Sequence, residues 1–174
     1  MSKPNEETVE LTAIDFFQQI GYQYMHGGVI APGEAQAERD DYREVLLVGR
    51  LRDGLAHINA HIPVAVRSSV VDEVIRRLQR REQPKLIQNN HAFHKLLVEG
   101  VDVSFRHNGK VQHDKLWLLD FAQPDNNNWL VVNQFTVEDV NPRSRAKTLV
   151  ILFYQPYLWV TVRDQSRGFE RIFR

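Results

Sequence analysis

The chain has 174 residues, of which 43% are hydrophobic and 25% are charged, and its formal net charge at pH 7 is zero. These values predict one globular domain over residues 1–174 and exclude a disordered or fibrous chain. The lack of cysteine excludes disulfides and thiolate sites and fits a cytoplasmic location, and no stretch reaches the ~18 apolar residues that span a membrane.

The first hundred residues show the apolar period of amphipathic helices. We expect helices over residues 5–20 and 40–58, and two more helices within the stretches 62–82 and 83–100. The first helix places apolar side chains along one face, at Val9, Ala13, Phe16, Phe17 and Ile20. An aspartate caps the second helix, Ser68 or Ser69 caps the third, and Asn90 caps the fourth, which Gly100 ends. A brief strand is expected at Tyr22 to Met25.

After Gly100 the apolar period changes from helical to extended. Strands are predicted in VDVSF, VQHDKLWLLDF, WLVVNQFTVED, KTLVILF and YLWVTV, with turns at HNGK and AQPDNNN. Leu116, Leu118 and Phe121 are expected to face one side of the second strand. Helices followed by strands predict an α+β fold in which N-terminal helices pack on a mixed C-terminal β-sheet.

Two histidine pairs have spacings that suit a metal site. His57 and His61 are four residues apart, but the glutamate of a zinc-binding HExxH helix is missing and Pro63 follows closely. His91 and His94 are three apart, with no carboxylate or third histidine near them in the sequence. Solvated helix surfaces are the favoured interpretation of both pairs, and no metal is expected there.

Two groups of cations are candidates for DNA contact, which in a chain of zero net charge must come from a local patch. The first group lies on adjoining turns of the third predicted helix, at Arg76, Arg77, Arg80 and Arg81. The second lies in a predicted loop, at Arg143, Arg145 and Lys147. Each group is either a solvated surface or a contact for phosphates. No glycine-rich nucleotide-binding loop of the form GxxxxGK[ST] occurs.

Four long stretches together resemble one protein family. They are GYQYMHGGVIAPGEAQAERDDYREVLLVGRLRDGLAHIN, KLIQNNHAFHKLLVEGVDVSF, LWLLDFAQPDNNNWLVVNQFTV and the hairpin LVILFYQPYLWVTV. In this order they resemble the N-terminal nuclease domain of the restriction (R) subunit of type I restriction-modification enzymes. The resemblance runs from about Glu7 to Phe153, and residues 154–174 depart from it.

The resemblance implies a PD-(D/E)xK restriction-endonuclease-like core that cleaves double-stranded DNA with Mg²⁺. Such a site has an aspartate at the start of one strand, a Glu-x-Lys on its partner strand and a glutamate on the first helix. The carboxylates hold Mg²⁺, and the metal and the lysine activate water at the phosphate. The implied partners are modification and specificity subunits. The ATP-driven motor domains of the family are not expected in a chain of this length.

At these positions the sequence departs from the family. Leu149 stands at the aspartate, Arg163 at the glutamate and Gln165 at the lysine, whereas Glu10 is the surviving first-helix glutamate. Asp164 is one residue away from the expected position, so it faces the other side of the strand unless a bulge intervenes. We therefore expect no metal and no cleavage. The alternatives are a binding module that docks on DNA or on restriction-modification subunits, and a nuclease with a rearranged site.

A shifted reading frame is one hypothesis for this departure. Displaced by one base beyond Phe153, degenerate codons permit Ile-Asn, seven residues and Glu-x-Lys, which is the spacing of the family. Sequencing the gene tests the hypothesis, because intact relatives encoding the same C-terminus would exclude a frameshift.

Overall fold

Four helices and six strands are present in a computed structural model, which describes residues 6–79, 86–138, 145–153 and 157–162. The helices are α1 Glu6–Gln19, α2 Val48–Ile58, α3 Val64–Gln79 and α4 Leu86–Glu99. The strands are β1 Gln23–His26, β2 Val101–His107, β3 Lys110–Leu116, β4 Leu130–Glu138, β5 Arg145–Phe153 and β6 Tyr157–Val162. A 3-10 turn spans Pro124–Asn126, in the predicted AQPDNNN turn.

These elements form two compact units. The first contains α1, β1, β4, β5 and β6, and the second contains α2, α3, α4, β2 and β3. In the described part of the chain, every helix is too short or too polar to cross a membrane.

The first unit is built on a four-stranded mixed sheet in the order β1-β4-β5-β6. β1 runs parallel to β4, and the β4–β5 and β5–β6 pairs are antiparallel. The central strand β4 is apolar and fully buried at Leu130, Val131, Val132 and Phe135. Helix α1 packs against β1 and β4. A helix followed by a mixed sheet confirms the α+β class.

The buried face of α1 differs from the predicted one. Ile14 is buried, with Ala13 and Phe17 half buried beside it, whereas Phe16 and Ile20 are 57% and 53% exposed. Residues 13, 14 and 17 follow the i, i+3 and i+4 spacing of a single helix stripe. The prediction was wrong for Phe16 and Ile20 because the stripe that meets the sheet is narrower than the set of apolar residues.

The second helix begins eight residues later than predicted, at Val48 instead of residue 40. The preceding segment is held by Arg39, which is only 4% exposed and lies 3.7 Å from the ring centroid of Phe135. Its guanidinium donates hydrogen bonds to the carbonyl oxygens of Thr136 at 2.7 Å and Glu44 at 3.1 Å. These bonds hold residues 39–44 beside β4, where the structure has turns in place of the predicted helix.

Helix α3 begins at Val64, four or five residues before the predicted serine cap. Pro63 precedes it, and the fixed φ of proline suits the first turn of a helix. The backbone N–H of Val66 donates to the Pro63 carbonyl at 3.0 Å, and the Ser69 hydroxyl donates to the Val66 carbonyl at 2.8 Å. The Ser69 side chain therefore bonds to a carbonyl of the preceding turn within α3 and does not cap the helix. Asn90 likewise lies within α4 and does not cap it.

In the second unit, β2 and β3 form an antiparallel hairpin, and α3 packs against β2. Val101, Val103 and Phe105 alternate as buried residues along β2. Asn108 and Gly109 have positive φ angles of 51° and 76° at the turn, as a tight hairpin requires. The predicted strand, turn and strand are confirmed here.

A buried asparagine ends β3 earlier than predicted. The Asn59 side chain accepts a hydrogen bond from the Trp117 N–H at 2.7 Å and donates to the Trp117 carbonyl at 2.8 Å. The Asn59 side chain therefore occupies the N–H and the carbonyl of Trp117, which a continuing strand would use for pairing. Leu116 and Leu118 are buried as predicted, but Phe121 is 63% exposed, because the alternation is lost after Leu116.

Replacing Arg39 with methionine tests whether the guanidinium holds the turn. Arg39→Met keeps apolar contact with Phe135 but leaves the Thr136 carbonyl without its donor, so we expect a loss of about 2–3 kcal/mol in the free energy of unfolding. Urea denaturation followed by circular dichroism measures it. Arg43→Met, at an exposed position in the same turn, is the control and should leave the midpoint unchanged. Equal midpoints for the two variants would contradict this role of Arg39.

Candidate functional site

Strand β4 carries a bulge where it pairs with β5. The register places two residues of β4, Asn133 and Gln134, opposite one residue of β5, Leu149. Gln134 has a φ of 52°, a left-handed conformation that glutamine rarely adopts. Bulges re-aim side chains and occur often beside active sites. Position 149 therefore lies opposite a locally strained backbone.

The bulge places three positions on one face of the sheet. Val132 and Phe135 pair with residues two apart in β5, so they share one face. Asn133, Gln134 and position 149 then belong to the other face. The Gln134 amide nitrogen lies 3.3 Å from each carboxylate oxygen of Glu10, on α1. Glu10 is half buried and meets the face to which position 149 belongs.

Gly27, directly after β1, holds the bulge from the other side. Its N–H donates to the Asn133 carbonyl at 2.7 Å. A Cβ atom on Gly27 would lie 2.6 Å from the Gln134 carbonyl oxygen and 2.7 Å from the Phe135 Cα, closer than van der Waals contact permits. The Tyr24 hydroxyl also donates to the Asn133 side-chain oxygen at 2.9 Å. Only glycine fits this approach of two backbones.

The remaining positions of the expected nuclease site are less fully described. Leu149 pairs with Thr161 of β6, so the hairpin predicted from the sequence forms. Arg163, Asp164 and Gln165 lie outside the described residues.

The donors at the bulge do not fit Mg²⁺. One carboxylate, Glu10, and one amide, Gln134, face each other, and position 149 is leucine. Mg²⁺ requires six oxygen ligands in octahedral geometry and is usually held by carboxylates. Within the described ranges, no group of three or more His, Asp or Glu side chains could hold a metal ion.

The predicted cation groups lie on regular elements. Arg76 and Arg77 are exposed in the last turn of α3. Arg145 was predicted in a loop and Lys147 where that loop meets the strand KTLVILF, but both belong to β5, in which Arg145 is in backbone register with Glu138. This prediction was wrong because the strand begins two residues before the apolar run. Arg80, Arg81 and Arg143 lie outside the described residues.

The tip of the β2–β3 hairpin carries cations that were not predicted from the sequence. Residues 103–113 include Arg106 and Lys110 but no Asp or Glu, and both cations are exposed. At the base, Lys115 lies 2.9 Å from Asp102, and this hydrogen bond, with a smaller effect of Arg77, lowers the pKa of Asp102. Helix α3 packs against β2 of this hairpin. The lack of acidic residues over this stretch was the available sequence signal.

A groove of about 630 Å³ opens beside the hairpin. Ser104 and His113 line it and are hydrogen-bonded at 2.8 Å, and Trp117 forms part of its wall. His61 also lines the groove, with its Nε2 atom 3.0 Å from the Lys115 carbonyl oxygen. His61 lies beyond the end of α2, so it does not share a helix face with His57.

Comparison with known proteins identifies the family. The model of the type I restriction enzyme R protein N terminus matches residues 3–148. The chain belongs to this family. The resemblance found in the sequence is thereby confirmed, and the match ends one residue before Leu149. No solved structure matches the chain significantly.

Two curated relatives are long restriction subunits. The type I restriction enzyme HindI endonuclease subunit of Haemophilus influenzae is 29% identical over 146 residues, which is 84% of this chain and 14% of the relative. The putative type I restriction enzyme MjaIXP endonuclease subunit of Methanocaldococcus jannaschii is 30% identical over 153 residues, 86% of this chain and 14% of the relative. The chain thus spans about one seventh of each relative's length.

Replacing Gly27 with alanine tests the contact that holds the bulge. Because its Cβ would overlap the β4 backbone, we expect Gly27→Ala to lower the free energy of unfolding by about 3 kcal/mol. The measurement is urea denaturation. Gly49→Ala, in α2 with no atom near the new methyl group, should be neutral or stabilising by up to about 1 kcal/mol. A Gly27→Ala protein as stable as the native chain would show that the backbones do not approach this closely.

Proposed function

We propose that this chain is the nuclease-type domain of a type I restriction R subunit and that it has a PD-(D/E)xK-like core without DNA-cleaving activity. One observation supports the proposal: the β4 bulge puts position 149 on the sheet face where Gln134 contacts Glu10, and the sequence has leucine there and not an acid. The ancestral activity is Mg²⁺-dependent cleavage of double-stranded DNA in defence against foreign DNA.

The loss of activity follows from electrostatics. Cleavage of a phosphodiester needs a metal to activate water and to stabilise charge on the phosphate. Leucine at position 149 offers no ligand, and a cationic side chain at position 163 repels a divalent ion. Gln165 carries no charge to assist the phosphate, as the family lysine would. Glu10 is then the one acid left of the carboxylate set that the family resemblance implies for Mg²⁺, and it contacts an amide.

A plasmid-nicking assay tests the proposal. We expect supercoiled plasmid to remain intact with the purified chain in either Mg²⁺ or Mn²⁺, because no second carboxylate supports Glu10. The competing proposal is a rearranged nuclease site formed by Glu10 and Asp164. It predicts nicking that is lost in Glu10→Ala and Asp164→Ala. Asp15→Ala, an exposed acid on the same helix, is the matched control and also detects contaminating nuclease. Metal-dependent nicking with that pattern would overturn the proposal.

A second candidate function is a binding module that docks on DNA. It is favoured by the cations of the hairpin tip, since Arg106 and Lys110 have no acidic residue near them in the sequence between residues 103 and 113. Arg76 and Arg77 add exposed charge at the end of α3 in the same unit. An antiparallel two-stranded ribbon fits the major groove of DNA, and each phosphate contact releases counterions. We propose a cytoplasmic location, where modification and specificity subunits are further partners.

A salt series tests the DNA-binding candidate. In Arg106→Ala/Lys110→Ala, the slope of the logarithm of the association constant against the logarithm of salt concentration should fall by about two, since each phosphate contact contributes about 0.9. Fluorescence anisotropy with a labelled duplex measures the slope.

The control for the salt series is Arg52→Ala/Lys95→Ala. It removes the same charge from side chains that lie 2.7 Å from Asp72 and 3.8 Å from Glu99. This control should keep the native slope. Equal slopes in the two double variants would exclude the hairpin as the contact. If the native chain does not bind DNA but retains modification or specificity subunits in a pull-down, the partner is protein.

A further inference from the structure

We infer that the side-chain amide of Gln134 holds the Glu10 carboxylate in the place that a divalent cation takes in a metal-dependent site. The inference rests on the proposed function, in which no metal binds, and names what replaces the metal. Gln134 is then a positioning residue that acts through Glu10.

The contact has the shape of a bidentate interaction. The Gln134 amide nitrogen is 3.3 Å from both carboxylate oxygens of Glu10, so it is equidistant from them. A cation bound by both oxygens of a carboxylate is also equidistant from them, at a shorter distance. The amide nitrogen carries two N–H donors and no acceptor, so it can only donate to the carboxylate.

The bulged backbone of β4 directs the Gln134 side chain toward Glu10. Gln134 reaches Glu10 through a left-handed φ of 52°, a strained conformation that persists only where its surroundings hold it. Gly27 supplies that hold, because its N–H and its lack of a Cβ atom fit the bulged backbone. The strained conformation of Gln134 therefore directs its amide toward the carboxylate of Glu10.

Changing the amide to a second carboxylate should convert the contact into a cation site. In Gln134→Glu, two like charges would stand where the amide and the carboxylate now touch, and each disfavours the ionised form of the other. A divalent ion between them relieves this repulsion. A lysine at the same position would instead supply a fixed positive charge, and a methionine would supply neither charge nor donor.

The test is thermal unfolding of the full chain in EDTA and in millimolar Mn²⁺, with Mn²⁺ affinity measured by electron paramagnetic resonance. The native midpoint should be the same in both solutions. Gln134→Glu should unfold at lower temperature in EDTA, recover in Mn²⁺ and bind Mn²⁺ about tenfold more tightly than the native chain or more. Adding Glu10→Gln to that variant should abolish the recovery. Gln112→Glu, exposed on β3, is the control for added charge and should not respond to Mn²⁺.

Gln134→Met and Gln134→Lys keep the test informative if Gln134→Glu does not fold. Gln134→Met should lower the midpoint in both solutions, whereas Gln134→Lys should restore it without metal. The inference is wrong if Mn²⁺ stabilises the native chain through Glu10, if Gln134→Glu folds and ignores Mn²⁺, or if methionine and lysine behave alike. Plasmid nicking by the native chain would overturn the proposed function. Mn²⁺ stabilisation through Glu10 without nicking would overturn this inference alone.

Discussion

The close approach of Gly27 to the backbone of β4 is the contact on which the first unit's site depends. Where β1 ends, the Gly27 N–H donates a hydrogen bond to the Asn133 carbonyl. Because Gly27 has no Cβ atom, the bulged backbone of β4, with its extra residue, fits against it. That extra residue turns Gln134 toward α1 and keeps position 149 on the same face. Without the bulge, period-two alternation would separate neighbouring side chains of β4 onto opposite faces, and Glu10 would lose its partner.

The helices and strands were predictable because they follow from apolar period, and the hairpin turn followed from the residues Asn108 and Gly109. Glu10 was named from the family resemblance. The bulge was not predictable, because NQF inside an apolar run reads as ordinary strand. The same limit applies to α1, whose inward stripe includes the charged Glu10 and omits Phe16. Both features depend on contacts between segments distant in sequence.

The wrong helix starts also have long-range or side-chain causes. Arg39 binds the Thr136 carbonyl, 97 residues away, so local helix propensity does not reveal the turn that precedes Val48. In α3 the error was local, since Pro63 outweighed the serine caps. The contact between Glu10 and Gln134 lies in the first unit, and the hairpin that carries Arg106 and Lys110 lies in the second.

A crystal of the native chain soaked in Mn²⁺ tests the central claim most directly, because the anomalous signal of manganese locates the ion without any assumption about activity. The account predicts density for the Gln134 amide between the two oxygens of Glu10 and no manganese peak beside them. A peak with Glu10 among its ligands, and the Gln134 side chain displaced or bound to the ion through its oxygen, would contradict it.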